Sequence, residues 1–150
     1  MPARPLDPDA PPLGTLLPDF TVQTCDGRTT HRRDLKGRHH LVLCFAPLGH
    51  DDLTTFTAPL LSAAPAWRAE RAAVLVLVPE GASLVGDRGQ SVIAEDHGAR
   101  LRARFGVDQG AALFIADRYG EIVYHAIGET TVPVDDVLPT LELLEMRCSP

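Results

Sequence analysis

The chain predicts an α/β fold: a mixed central β-sheet held between helices in three layers, with a β-hairpin ahead of it. Three observations predict it. Residues 41–45 and 73–78 are apolar throughout over strand length, the pattern of strands covered on both faces. Between them, Leu53, Phe56, Leu60, Leu61, Ala64 and Trp67 recur at helical three-and-four spacing, so strand, helix and strand imply a parallel crossover. Segments 112–116 and 121–126 then bracket a turn from Asp117 to Gly120, which adds an antiparallel pair and makes the sheet mixed.

Taken in order, residues 1–12 are Pro-rich and predict an extended or disordered tail, with a single folded domain over 13–147. Segments 20–24 and 29–32 flank Asp26-Gly27, a dipeptide that supplies the positive φ of a tight hairpin. Asp34 to Gly37 reads as a turn. The helix after residue 53 contains Pro59 and Pro65, each of which removes a donor and presses on the carbonyl four residues back, so a kinked or broken helix is expected. Residues 79–90 read as a mobile loop. Gly81 and Gly86 imitate a phosphate loop, but Asp87-Arg88 stand where its Lys and hydroxyl belong. A helix is expected over 91–104 on Val92, Ile93, Leu101 and Phe105, weakened by Gly98. Val134, Val137, Leu138, Leu141 and Leu144 share one face of a last helix, capped by Asp135 or Asp136, with Pro139 in its tolerant first turn.

Composition excludes several function classes. A 150-residue chain with 45% hydrophobic and 23% charged residues is ordinary for a globular protein. A net charge of −6 with no long basic run argues against a nucleic-acid partner. No segment reaches the ~18 apolar residues of a membrane span, and the prolines of the first twelve positions interrupt any signal-peptide core. Cys25, Cys44 and Cys148 are an odd set without metal-ligand or CxxC spacing, and read as reduced thiols of a cytoplasmic protein. No cofactor motif is present.

Residues 41–56 are where a site is expected. A buried strand runs through Pro47 and Gly49 into a helix that Asp51 or Asp52 can cap. A turn of this kind aims backbone donors at one spot and favours an anion or thiolate there, yet no cysteine lies in the loop.

The element order, together with Gly14, Pro18-Asp19-Phe20, Asp26-Gly27, Leu35-Lys36-Gly37 and the run Phe114, Asp117, Gly120, Ile122, resembles the thioredoxin-fold redoxins. The resemblance is to the peroxiredoxin branch of alkyl hydroperoxide reductases and thiol-specific antioxidant proteins, over about residues 14–146. It implies a thioredoxin-like fold and thiol-based antioxidant oxidoreductase chemistry. That family's motif, Pro-x-x-x-Thr-x-x-Cys, aligns with Pro47 to Thr54. The proline is kept. The family threonine falls on Asp51 and the peroxidatic cysteine on Thr54, and a hydroxyl lacks the soft anionic nucleophile that peroxide attack needs. Asp51 and Asp52 would also oppose a thiolate by like charge. Against a thioredoxin-type CxxC the matching positions are His50 and Leu53. The family arginine falls near Ala111 or Ala112, and the thioredoxin cis-proline has no counterpart around Gln109-Gly110.

Three functions stay open at this point. The first is a degenerate redoxin that binds a protein or small-molecule partner without catalysis. The second is a divergent thiol peroxidase or disulfide oxidoreductase working through Cys44, Cys25 or Cys148. The third is a metal site at His50, Asp51 and Asp52, for which helix capping and solvated charge are the plainer account. Cys44 reads as a small buried hydrophobe and Cys25 as exposed. Cys148 reads as part of a C-terminal tail, and His39-His40 as solvated side chains. Trp67 and Tyr119 suit core and turn. A homodimer follows only by analogy with redoxin folds.

Overall fold

The structure, a computed structural model, describes residues 11–49, 53–82 and 92–148. Most of the expected N-terminal tail, the possible caps Asp51 and Asp52, and the Gly86-Asp87-Arg88 part of the glycine loop lie outside the described residues. Two short strands, β1 (Thr21–Gln23) and β2 (Thr29–His31), form an antiparallel ribbon. Gly27 closes it at φ 89°, and the Asp26 carboxylate takes the Thr24 hydroxyl and the Arg28 amide. The expected turn at 34–37 includes the end of a one-turn helix, α1 (Arg32–Leu35), in which Asp34 accepts the His31 amide at 3.0 Å.

The central sheet has strand order β5-β4-β3-β6-β7, built from β3 (His40–Phe45), β4 (Ala72–Pro79), β5 (Ile93–Asp96), β6 (Ala111–Ala116) and β7 (Ile122–Gly128). β3 pairs parallel with β4 and antiparallel with β6, so the expected crossover and hairpin both stand and the sheet is mixed. Every residue of β3 and β6 is buried, because the strand period of two feeds two cores. On one face Val42, Cys44, Val76 and Leu113 pack under α2 (Thr54–Ala69) and α4 (Val137–Cys148), through Phe56, Leu60, Trp67 and Leu141. On the other, Leu43, Phe45, Leu77 and Phe114 meet Leu17, Phe20 and Val22 from the N-terminal segment and Phe105 after α3 (Arg100–Arg104). Phe45, Phe105 and Phe114 form a closed aromatic cluster with centroids 5.1–6.1 Å apart. Among the described residues no helix is long and apolar enough to cross a membrane.

Four expectations are corrected. Residues 93–96 are a strand, not the start of a helix: they pair parallel with Val76–Pro79 at the sheet edge, which satisfies backbone groups that a helix would satisfy internally. The apolar spacing from Val92 to Phe105 imitates a helix across Gly98 and Ala99, whose φ values of 65° and 55° turn the chain. Second, the helix is not broken at its prolines: α2 runs without interruption over Thr54–Ala69. Pro59 and Pro65 sit on its exposed face, while Phe56, Leu60, Ala64 and Trp67 hold the inner face to the sheet. Replacing either proline by alanine restores a backbone donor, and we expect each to raise stability by about 1–2 kcal/mol after the lost rigidity of the unfolded chain is offset. Urea unfolding of Pro59→Ala and Pro65→Ala measures this. Third, Cys148 ends α4 instead of lying in a tail, because the 141–144 periodicity continues the helix; its side chain lies outside the described atoms.

Fourth, His40 is not solvated. As the first residue of β3 it is 1% exposed, with Nε2 3.6 Å from Glu145 on α4, which also lies 3.7 Å from Arg71. Burial lowers its pKa, with Arg118 and Arg71 acting in the same direction and Glu145 and Asp117 opposing. A folded-state pKa below the unfolded value of ~6.5 means the unfolded chain takes up the proton first. The neutral ring's contribution is therefore present above that pH and lost as pH falls. The urea midpoint is expected to drop between pH 7.5 and 5.5, and to drop less in His40→Gln.

Candidate functional site

The loop after β3 is fixed from two sides. The Ala46 amide donates to Leu77 O at the end of β4, and the Leu48 amide donates to Gln109 O ahead of β6, at 2.9 and 2.8 Å. Pro47 is buried, and Gly49 takes φ 81°. The chain then opens α2 through Leu53, which is 2% exposed and whose carbonyl accepts the Phe56 and Thr57 amides. Leu53 supplies no side-chain cap. Thr54 is the first helical residue and is exposed. Of the sequence-predicted residues, Pro47 follows the carboxyl end of the central strand, and Leu53 and Thr54 open α2. His50, Asp51 and Asp52, with the metal site and the capping proposed on them, lie outside the described residues. Among the described residues no group of three His, Cys, Asp or Glu side chains could hold a metal ion.

Of the described thiols, neither Cys44 nor Cys25 lies in this loop. Cys44 is 0% exposed inside β3, and burial pushes its thiol up to about 12, so the thiolate that would attack peroxide is scarce near neutral pH. Cys25 is exposed beside the hairpin turn, its amide donating to Ile93 O on β5. Partial burial raises its pKa, and the Glu95 and Asp26 charges add to the rise.

One residue that sequence reasoning missed completes the site. Ala111 and Ala112 are wholly buried in β6 where the resemblance implied an arginine, and the guanidinium of this region comes from Arg102 of α3. It is 5% exposed and donates to three main-chain carbonyls, Ala46, Asp108 and Gly110. It therefore ties the loop before α2 to the loop before β6. Asp96 starts the helix that carries it, accepting the Leu101 and Arg102 amides at 2.9 Å each. Burial lowers the Arg102 pKa while Asp96 and Asp108 oppose this. The signal in the sequence was its place three residues before Phe105, on the inward side of the turn of helix.

Beside this clamp, a solvent-open cleft of about 170 Å³ lies at the carboxyl ends of β3, β4 and β5, the region where open α/β sheets receive ligands. Phe45, Leu48 and Leu77 give it an apolar wall, and Glu80, Asp96 and Arg102 give it charge. The Glu80 carboxylate takes the Gly98 amide and lies 3.5 Å from His97, which together hold its pKa down.

No protein-family model matches the sequence, and no curated protein matches it. Solved structures do. A 2-Cys peroxiredoxin of Plasmodium vivax superposes at TM-score 0.67 with 16% identity, over 90% of this chain and 82% of that one. An exposed lipoprotein thioredoxin of Streptococcus pneumoniae gives 0.61 at 19% identity over 84% and 99%. A putative thiol:disulfide interchange protein DsbE of Chlorobium tepidum gives 0.61 at 17% over 91% and 96%. At such identities the likeness speaks to architecture alone. With its five-stranded mixed sheet, flanking helices and N-terminal ribbon, the chain has a thioredoxin-like fold.

Proposed function

We propose that this is a peroxiredoxin-like protein whose motif position has lost its peroxidatic cysteine, and that it serves as a non-catalytic binding or regulatory redoxin in the cytoplasm. The observation that carries the reading is the separation of thiol from site: Thr54 opens α2, while Cys44, the cysteine nearest in sequence, is sealed in the sheet with a thiol near 12. A neutral hydroxyl at a helix start neither attacks peroxide nor exchanges with a disulfide. Near the carboxyl end of β3, on the sheet face opposite α2, the fold has a cleft with an apolar wall and a charged rim, suited to a small molecule or a partner's side chain.

The test is hydroperoxide consumption and insulin-disulfide reduction with dithiothreitol, glutathione or thioredoxin as electron donor, for the parent chain and Cys44→Ser. No turnover above the protein-free rate is expected for either. Turnover in the parent at rates typical of enzymes, about 1 s⁻¹ or more, would overturn the reading, and its survival in Cys44→Ser would move the chemistry to another thiol.

A further inference from the structure

At the opposite end of β3, about 20 Å away by strand length, the protein carries a feature that the redoxin reading does not use. Four of the chain's fourteen Lys and Arg residues fall within seven positions, Arg32, Arg33, Lys36 and Arg38. Arg32 and Lys36 line one groove with Arg118 and Tyr119, which come from the turn between β6 and β7. The groove is a shallow depression open to solvent, with Leu35 and Leu41 in its lining. In a chain of net charge −6 this is a local concentration of positive charge. Three cations, Arg32, Lys36 and Arg118, line the groove against one carboxylate, Asp117, whose Oδ1 accepts the Tyr119 and Glu121 amides at 3.0 Å.

The walls are fixed before any ligand arrives. The Gly37 amide donates to Arg118 O at 2.6 Å, which ties the α1 loop to the β6–β7 turn. Arg32 is half-buried and anchors one guanidinium nitrogen on Leu17 O at 2.6 Å. The Arg118 guanidinium rests over the Tyr119 ring, 5.4 Å from its centre, and Tyr119 remains 53% exposed. Arginines held in this way lose little freedom on binding, and their forked donors match phosphate oxygens. Lys36 adds an exposed point charge at the rim.

We propose that this groove binds the phosphate chain of a small polyanion, a di- or triphosphate either free or carried by a nucleoside. Several cations lining one groove suit a multivalent anion better than a single carboxylate, which one arginine satisfies.

Calorimetric titration of the full chain with sodium tripolyphosphate and, separately, with ATP tests it. Both are expected to bind at low salt and to weaken steeply as salt is added. Lys36→Glu and Arg118→Gln are each expected to weaken binding by about tenfold or more. Lys36 is exposed, so Lys36→Glu is expected to leave the thermal midpoint within about 2 °C of the parent, which keeps the test readable if Arg118→Gln unfolds. Tighter binding of ATP than of tripolyphosphate, lost in Tyr119→Ala, would identify a nucleotide as the ligand, and equal binding would identify the phosphate chain alone. The absence of binding by either probe, or affinities unchanged in Lys36→Glu, would overturn the proposal.

Discussion

Replacing Arg102 by methionine is expected to destabilise the protein by about 3 kcal/mol, because three main-chain carbonyls, those of buried Ala46 and Gly110 and of exposed Asp108, lose a charged donor at once. For a chain of this size that is roughly a 10 °C fall in thermal midpoint. The substitution keeps much of the side-chain volume, so the loss reports on hydrogen bonding and not on a cavity. Arg102→Lys separates charge from geometry: one ammonium cannot hold Ala46, Asp108 and Gly110 together as the fork does, and it is expected to recover less than half of the loss. Because the clamp joins the loop after β3 to the loop before β6, amide exchange in residues 46–49 and 108–110 should rise in both variants, while β4 and α2 stay protected apart from the global change.

Phe105→Ala is the second large effect, expected at about 3–5 kcal/mol. Phe105 is 0% exposed and packs edge-on against Phe114 and tilted against Phe45, at 5.1 and 5.5 Å. Removing the ring opens a void under the carboxyl half of β3, where the face is built from side chains already locked by their neighbours and little can collapse inward. Phe105→Leu keeps most of the volume and is expected to cost about 1–1.5 kcal/mol. Chemical denaturation of both, with an unchanged m-value, checks the assignment to the native core.

Much of this architecture could be read from residue patterns. The unbroken apolar runs of β3 and β4 announce strands buried on both faces, and Asp26-Gly27 announces the ribbon, since both signals are local and their physics is local. The errors lie where tertiary pairing decides. Ile93-Ala94 carries no more strand character than helix character until β4 offers it an edge, and the spacing to Leu101 and Phe105 counts across a glycine that turns the chain. Pro59 and Pro65 cannot declare from sequence that they face solvent on a helix already held by Trp67 and Leu60. The site shows the same division. Pro47 and Thr54 are found by register after a recognisable strand, and Cys44 by its apolar neighbours. Arg102 escapes notice because its three partners are main-chain carbonyls, which have no signature in side-chain chemistry. His40 escapes because an adjacent histidine, His39, is in fact exposed, and only the docking of α4 separates the two.

The separation of thiol from site is tested most directly by alkylating the native protein with iodoacetamide between pH 6 and 9 and following each cysteine by mass spectrometry. The expected result is that Cys44 stays unmodified until the protein is unfolded, while Cys25 reacts slowly and faster with each rise in pH, as an unactivated thiol does. A cysteine that reacts rapidly at pH 6–7 with a rate already level across that range would reveal a stabilised thiolate, and would contradict the account.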